Sequence, residues 1–543
     1  MTETPQQPAP QPAPQPEPMS LPRTVAYMVA AILIALGATV PQGVLSANIA
    51  QIAGDLGATT AQASWLLVAF IVPRSCLPIL LIKIRTQYGL RRFTEVSIIG
   101  YVLADFAAVW VDDLRSAALV EFLSGSASAS LSTLAFLYML EPLGQAWRLR
   151  LGLPMALCFL IMGPSLARVM SPWLIGDGGL MRVHLATLGT AIISLASVVM
   201  LQLRPVPHMK VIHPLDLLSF ALIAFGFTAM ITAFVMGPIY WWRDAGWLGA
   251  LLAAGVGALA GAVALELRRS APLLDIRWLL SPAMVHLTGA LLIFRIILSE
   301  QSTGAPRMFQ LLGLSPSQLV PLFSVICAFT LLGTLACVAW LKPTRVPQFH
   351  FSALVLIACG AWMDSQATMD TRPEQMIVSQ ALIAFAGMLF MPPAMITGLL
   401  SALRKGPQYL LSFIIVYIST QSVGGMIGSG IFTTLINQRQ AFHYQLLTEE
   451  LTTTDDIVSQ AISTQMTALA PQILDPTLRR AQAVSQLTTD TSNQAYVMAY
   501  NDAYFLTFLL AVLAASALCL HVFRDWLMAR IAARRPSSVE TTS

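Results

Sequence analysis

Apolar runs of about twenty residues recur along almost the whole chain. That is the length at which a helix rising ~1.5 Å per residue crosses the ~30 Å hydrocarbon core of a bilayer. The runs fall near 24–47, 62–82, 94–111, 116–139, 151–170, 183–203, 215–237, 246–265, 282–303, 316–341, 349–364, 375–401, 408–436 and 502–523. Fourteen spans are therefore predicted, the run at 349–364 being the shortest. Composition agrees: only 11% of the 543 residues are charged, where a soluble chain carries about a quarter. The fold class this implies is an all-α polytopic membrane protein.

Lysine and arginine placement sets the orientation. With the amino terminus inside, every lysine (Lys83, Lys210, Lys342, Lys405) falls in a cytoplasmic loop, with the arginine clusters at 91–92, 148–150 and 268–269. Both termini are expected in the cytoplasm. The opening segment 1–23, "MTETPQQPAPQPAPQPEPMSLPR", alternates Pro with Gln and Ala, a composition that builds no core and reads as a disordered tail. Residues 524–543 form a basic tail at the other end. The six cysteines lie in or beside apolar runs without CxxC or His-paired spacing, so no disulfide, metal or cofactor site is expected. Basic residues form no patch interleaved with aromatics, which excludes nucleic acid as a partner. No GxSxG, HExxH or phosphate-binding loop occurs, so an enzyme is not expected and any energy source is an ion gradient.

One long connection interrupts the short loops: residues 437–500, on the outer side. Asp475 followed by Pro476 is a helix start, a capping carboxylate and then a ring at the first helical position. Leu478, Ala481, Val484 and Leu487 recur at helical spacing, so the loop is predicted to be helical. A long loop with structure of its own is usually functional.

Charges inside spans are costly, about 2.5–3.5 kcal/mol each on insertion scales, and mark function by default. "GALLIFRIILSEQ" carries Arg295 and Glu300, five residues apart and so on different helix faces. Asp105, Glu121 and Arg74 are the others. Arg74 lies between Pro73 and Pro78, whose freed carbonyls are one way to satisfy it; attracting an anion, or countering Asp105, are the alternatives. Gly163 and Pro164 permit a bend and a close helix contact. Met388 and Met391 offer adaptable thioethers to a hydrophobic substrate, or simply pack the core. "SVGGMIGSG" (422–430) reads as helix packing.

In order and spacing, several stretches resemble the major facilitator superfamily, specifically EmrB/QacA-type drug:proton antiporters. They are "WLLVAF" (65–70) leading to "YGLRR" (88–92), "MGPSLA" (162–167), "ELRRSAPLLDIRWL" (266–279), and "RQAFHYQLL" with "QAYVMAYNDAYF" at the two ends of the outer loop. The chain departs from the pattern where Pro41 or Gln42 replaces the first-span acid, where Thr86 and Gln87 replace a charged pair, where Glu121 replaces an arginine, and at Gln421. Gly163 and Pro164 correspond to the fifth-span antiporter motif.

The resemblance implies two six-helix bundles, 24–204 and 281–523, rocking about a central cavity, with two extra spans within 205–280 outside that plan. Span 9 would then line the cavity. Glu121, Glu300 and Asp105 become the proton-coupling candidates, and Arg295 and Arg74 the cavity or charge-pair candidates, with Glu121 and Arg295 meeting across the bundles. The implied function is proton-coupled efflux of amphiphilic toxic compounds from a bacterial inner membrane. The outer loop would dock a periplasmic membrane-fusion adaptor that continues to an outer-membrane channel. A narrow-specificity metabolite or siderophore exporter is the alternative, and a non-transporting scaffold or sensor a weaker one.

Overall fold

Helices follow one another along a computed structural model that describes residues 19–175, 179–204, 210–269, 272–451 and 456–534. The predicted tails lie outside the described residues over 1–18 and 535–543. Thirteen helices are long and apolar enough to cross a membrane, and a shorter apolar stretch at His184–Met200 lies where the remaining span was expected. No strand occurs among the described residues.

The first group comprises α1 (Leu21–Ala47), α2 (Thr60–Cys76, resuming at Pro78–Tyr88), α3 (Leu90–Ala107), α4 (Leu114–Leu140), α5 (Leu153–Ile175) and α6 (Gly179–Met200). Then come α7 (Pro214–Tyr240) and α8 (Gly246–Leu267), followed by α9 (Pro282–Ile297), α10 (Val320–Trp340), α11 (Val346–Asp364), α12 (Ile377–Lys405), α13 (Pro407–Glu450) and α14 (Pro476–Arg534). Local chemistry sets several boundaries. Thr59 and Gln62 close a capping box before α2, and Asp113 caps α4 through the Ser116 N–H at 3.2 Å. The α2–α3 turn needs φ +86° at Gly89, a left-handed value open to glycine.

α1, α4 and α5 pack together, with α2 and α3 against α4 and α6 against α3, giving one six-helix bundle. α9 packs on α13, α10 and α11 on α12, and α14 on α11 and α13, giving the second. The bundles meet along α5 and α10. Arg150 donates to the Val338 carbonyl at 2.9 Å at one end of that seam, and Arg168 to the Ser302 carbonyl at 3.5 Å at the other. α2 meets α13 across the opposite seam.

The extra pair α7–α8 was expected outside the two six-helix bundles. α7 packs against both α2 and α13, with Ile231 in one apolar cluster with Phe70, Ile71 and Val423. A buried ionic cluster fastens its amino-terminal end. Lys83 Nζ lies 2.8 Å from Asp216, and Arg269 lies 2.6 Å from Asp216 and 2.8 Å from Glu266.

The outer loop is helical, as expected, but less of a loop than its sequence suggested. α13 runs on unbroken to Glu450, a helix spans Asp456–Leu469, and α14 begins at Pro476. The Thr477 N–H donates to Asp475 at 2.8 Å, the cap that the sequence predicts. α14 has 59 residues, about 90 Å of helix, roughly three times what a bilayer core requires. Its amino-terminal part and the end of α13 thus project together as a hairpin. Asp502 pins that hairpin, 2.5 Å from Arg439 and 2.7 Å from His443.

Candidate functional site

The apolar interior holds three polar sites, and each takes side chains from segments distant in sequence. The first lies at the bundle interface. α2 breaks at Leu77 between Pro73 and Pro78, and Arg74 sits one turn before the break. Its guanidinium donates to the side-chain oxygen of Gln42 on α1 and lies 6.0 Å from the Phe70 ring. Neither the proline carbonyls nor Asp105 is its partner. Arg295 of α9 is the charged neighbour of Arg74 from the other bundle.

Arg295 has Tyr417 beside it, and its Nε is buried without a hydrogen-bond partner. Gly425 makes room for the guanidinium, since a Cβ there would stand 2.6 Å from Nη2. Tyr417, Gln421 and Gly425 recur every four residues on α13 and so share one face. The small residues of 422–430 are packing residues, as read.

The second site is a cavity of about 420 Å³ inside the first bundle, among α1, α2, α3, α4 and α6. Asp105, Glu121, His184 and Asp112 line it. Asp105 is 4% exposed, faces Tyr101 and has one carboxylate oxygen unpartnered. Glu121 is half-buried and has Asp105 as its charged neighbour. Glu121 and Arg295 are not joined in this structure.

The third site is in the second bundle. α9 ends at Ile297, and a single wide turn follows at Glu300–Gly304, a departure from α geometry frequent at functional sites. That turn points Glu300 inward. The side chain is fully buried, with neither carboxylate oxygen hydrogen-bonded. Asp364, at the end of α11, and Thr507 of α14 are its polar neighbours. Asp364 is itself 1% exposed and accepts from Gln380 Nε2 at 2.6 Å and from the Ser379 hydroxyl. Two carboxyl groups are thus neighbours in a buried interior. Asp364 was missed in the sequence because it closes the least certain span; an acid at the end of "ACGAWMD" is the signal that was there.

The remaining expected residues have structural surroundings. Gly163 and Pro164 make a close contact with α1, at Thr39 and Gly43, inside one bundle and not at the seam between bundles. Met388 and Met391 are fully buried in the core of the second bundle, the Met391 sulfur accepting from the Tyr417 hydroxyl at 3.9 Å. No group of three or more metal-ligating side chains occurs among the described residues.

Among known proteins, no family model matches the chain, and no curated sequence matches it. Solved structures do. The human organic anion transporter MFSD10 (TETRAN) superposes with a TM-score of 0.53 at 11% identity, over 90% of this chain and 99% of that one. A POT family transporter bound to a thioalcohol-conjugated peptide gives 0.55 at 11% identity, over 91% and 96%. Tetrameric PepTSo2 gives 0.54 at 12% identity, over 92% and 99%. The chain has the major facilitator fold: a polytopic all-α membrane protein of two six-helix bundles with α7 and α8 added.

Proposed function

We propose that this chain is a membrane transporter that couples proton entry to the export of amphiphilic compounds, working in a bacterial inner membrane. The observation that carries the reading is the Glu300–Asp364 pair. Two carboxyl groups in contact at low dielectric do not both ionise, so such a pair holds a proton and releases it only when its surroundings change. Rocking one bundle against the other changes those surroundings, because α9 and its wide turn belong to the moving seam. The cavity beside Asp105 and Glu121 supplies a second water-accessible acidic site in the other bundle. Together they replace the missing first-span acid.

The resemblance to EmrB/QacA-type antiporters supports the direction of transport. The projecting α13–α14 hairpin supports an adaptor-dependent pump. It presents Leu474, Leu478 and Val484 at 93%, 60% and 42% exposure, an apolar edge suited to a helical periplasmic partner leading to an outer-membrane channel. The test is dye and antibiotic accumulation in pump-deficient cells expressing this chain with its neighbouring adaptor. Accumulation should fall, and an uncoupler should restore it; accumulation that an uncoupler does not change would reject proton-driven export.

A further inference from the structure

Resting on that export reading, we infer that Arg74 and Arg295 form the recognition site for the anionic group of the substrate, so that the exported compounds are amphiphilic organic anions carrying a carboxylate or sulfonate. Phe70, beside Arg74, shares an apolar cluster with Val423 of α13, and Arg295 packs against Gly425 of the same helix, so two guanidinium groups, one from each bundle, stand near one stretch of the seam. Among the described residues no carboxylate is ion-paired with either: Arg74 has the neutral amide of Gln42, and the Nε of Arg295 is buried without a hydrogen-bond partner. Both side chains are partly exposed, although the Nε of Arg295 is buried.

The surroundings are rich in donors and poor in acids. Gln421 Nε2 is buried without a partner on the α13 face that Arg295 packs against, and the Tyr417 hydroxyl has only the Met391 sulfur. The buried acids Glu121 and Glu300 have other carboxyl groups, Asp105 and Asp364, as their charged neighbours, and neither is ion-paired with Arg74 or Arg295 among the described residues. Unpaired arginines are costly in an apolar interior, and their planar forks match carboxylate and sulfonate oxygens. Phe70 and Tyr417 add ring surface for an aromatic body.

A ligand held by both arginines draws the two bundles together, and one held by neither leaves like charges facing across the seam. Anion binding therefore favours closure around the substrate.

Two measurements on the purified full-length chain test this. In nanodiscs, fluorescence anisotropy follows 5-carboxyfluorescein and rhodamine 6G, dyes of like size and opposite charge, with naphthalene-2-sulfonate as competitor. The wild-type chain should bind 5-carboxyfluorescein, and naphthalene-2-sulfonate should displace it. Arg74→Gln and Arg295→Gln should each weaken binding at least tenfold, while Arg295→Lys retains most of it in an equally monodisperse sample. Binding of rhodamine 6G alone, no binding of either anion, or anion binding unchanged in both glutamine variants would overturn the proposal.

In proteoliposomes the same dyes are followed under an imposed proton gradient. Anion binding without gradient-driven movement would sink the export reading and leave the site standing. Gradient-driven movement of rhodamine 6G without anion binding would do the reverse.

Discussion

At the scale of single residues, buried acids differ chiefly in what surrounds them. Asp216 and Glu266 are as buried as Glu300, yet each is matched by a cation, which marks them as structural. Glu300 has no cation and no hydrogen bond to either oxygen; its neighbour is another carboxyl group. Glu300→Gln is therefore expected to keep the chain folded, since an amide fits where a protonated acid does, and to reduce proton-driven flux at least tenfold. Asp364→Asn should do the same, and the double variant should be no worse than either single one, because the pair acts as a unit. Flux in proteoliposomes under a proton gradient measures this; full activity in both single variants would remove the pair from the mechanism. The sequence exposed Glu300, a charge in the middle of a greasy run. It hid Asp364, which looks like an ordinary span end until the fold sets it beside Glu300.

At the scale of elements, the instructive pair is α7–α8. Hydropathy located both helices and could say nothing of where they dock. Docking rests on the cluster Lys83, Asp216, Arg269 and Glu266, which joins α2 to α7 and α8 with side chains at most 9% exposed. Asp216 serves two cations, so Asp216→Ala leaves both without that partner. Removing one partner from a buried ion pair costs about 3–5 kcal/mol, and a clear fall in Tm in detergent is expected. An unchanged Tm would mean that apolar packing alone holds α7 in place. The seam positions of α13 tell a related story: Gly425 is small because Arg295 needs its room, a reason invisible in the motif "SVGGMIGSG" itself.

At the scale of the whole molecule, the two bundles touch near both ends of their seam, where Arg150, just before α5, reaches Val338 of α10 and Arg168 of α5 reaches Ser302 in the turn after α9. Rocking requires at least one of these contacts to part. A reducible bifunctional thiol crosslinker joining cysteines introduced as Arg168→Cys and Ser302→Cys, in a background lacking the native six, should lock this contact. Gradient-driven flux should stop on crosslinking and return on reduction. Flux that persists in the crosslinked protein would show that the outer ends of α5 and α9 do not separate during transport.

What the sequence by itself determined is the positions of the apolar helices, thirteen of the fourteen long enough to span, the helical character of 437–500 and the cap at Asp475. Each is a property of one short segment: its length, its apolarity, its terminal chemistry. The bilayer acts on every segment separately, so these features survive without knowledge of neighbours. What only the tertiary structure decided is which charges meet. Arg74 found Gln42, Lys83 found Asp216 across 133 positions of chain, and Glu300 found Asp364. Such pairings depend on how each helix is rotated about its axis and which helices touch. In a chain where nearly every helix is apolar all round, hydrophobicity leaves that rotation open, and close packing with a few polar contacts settles it.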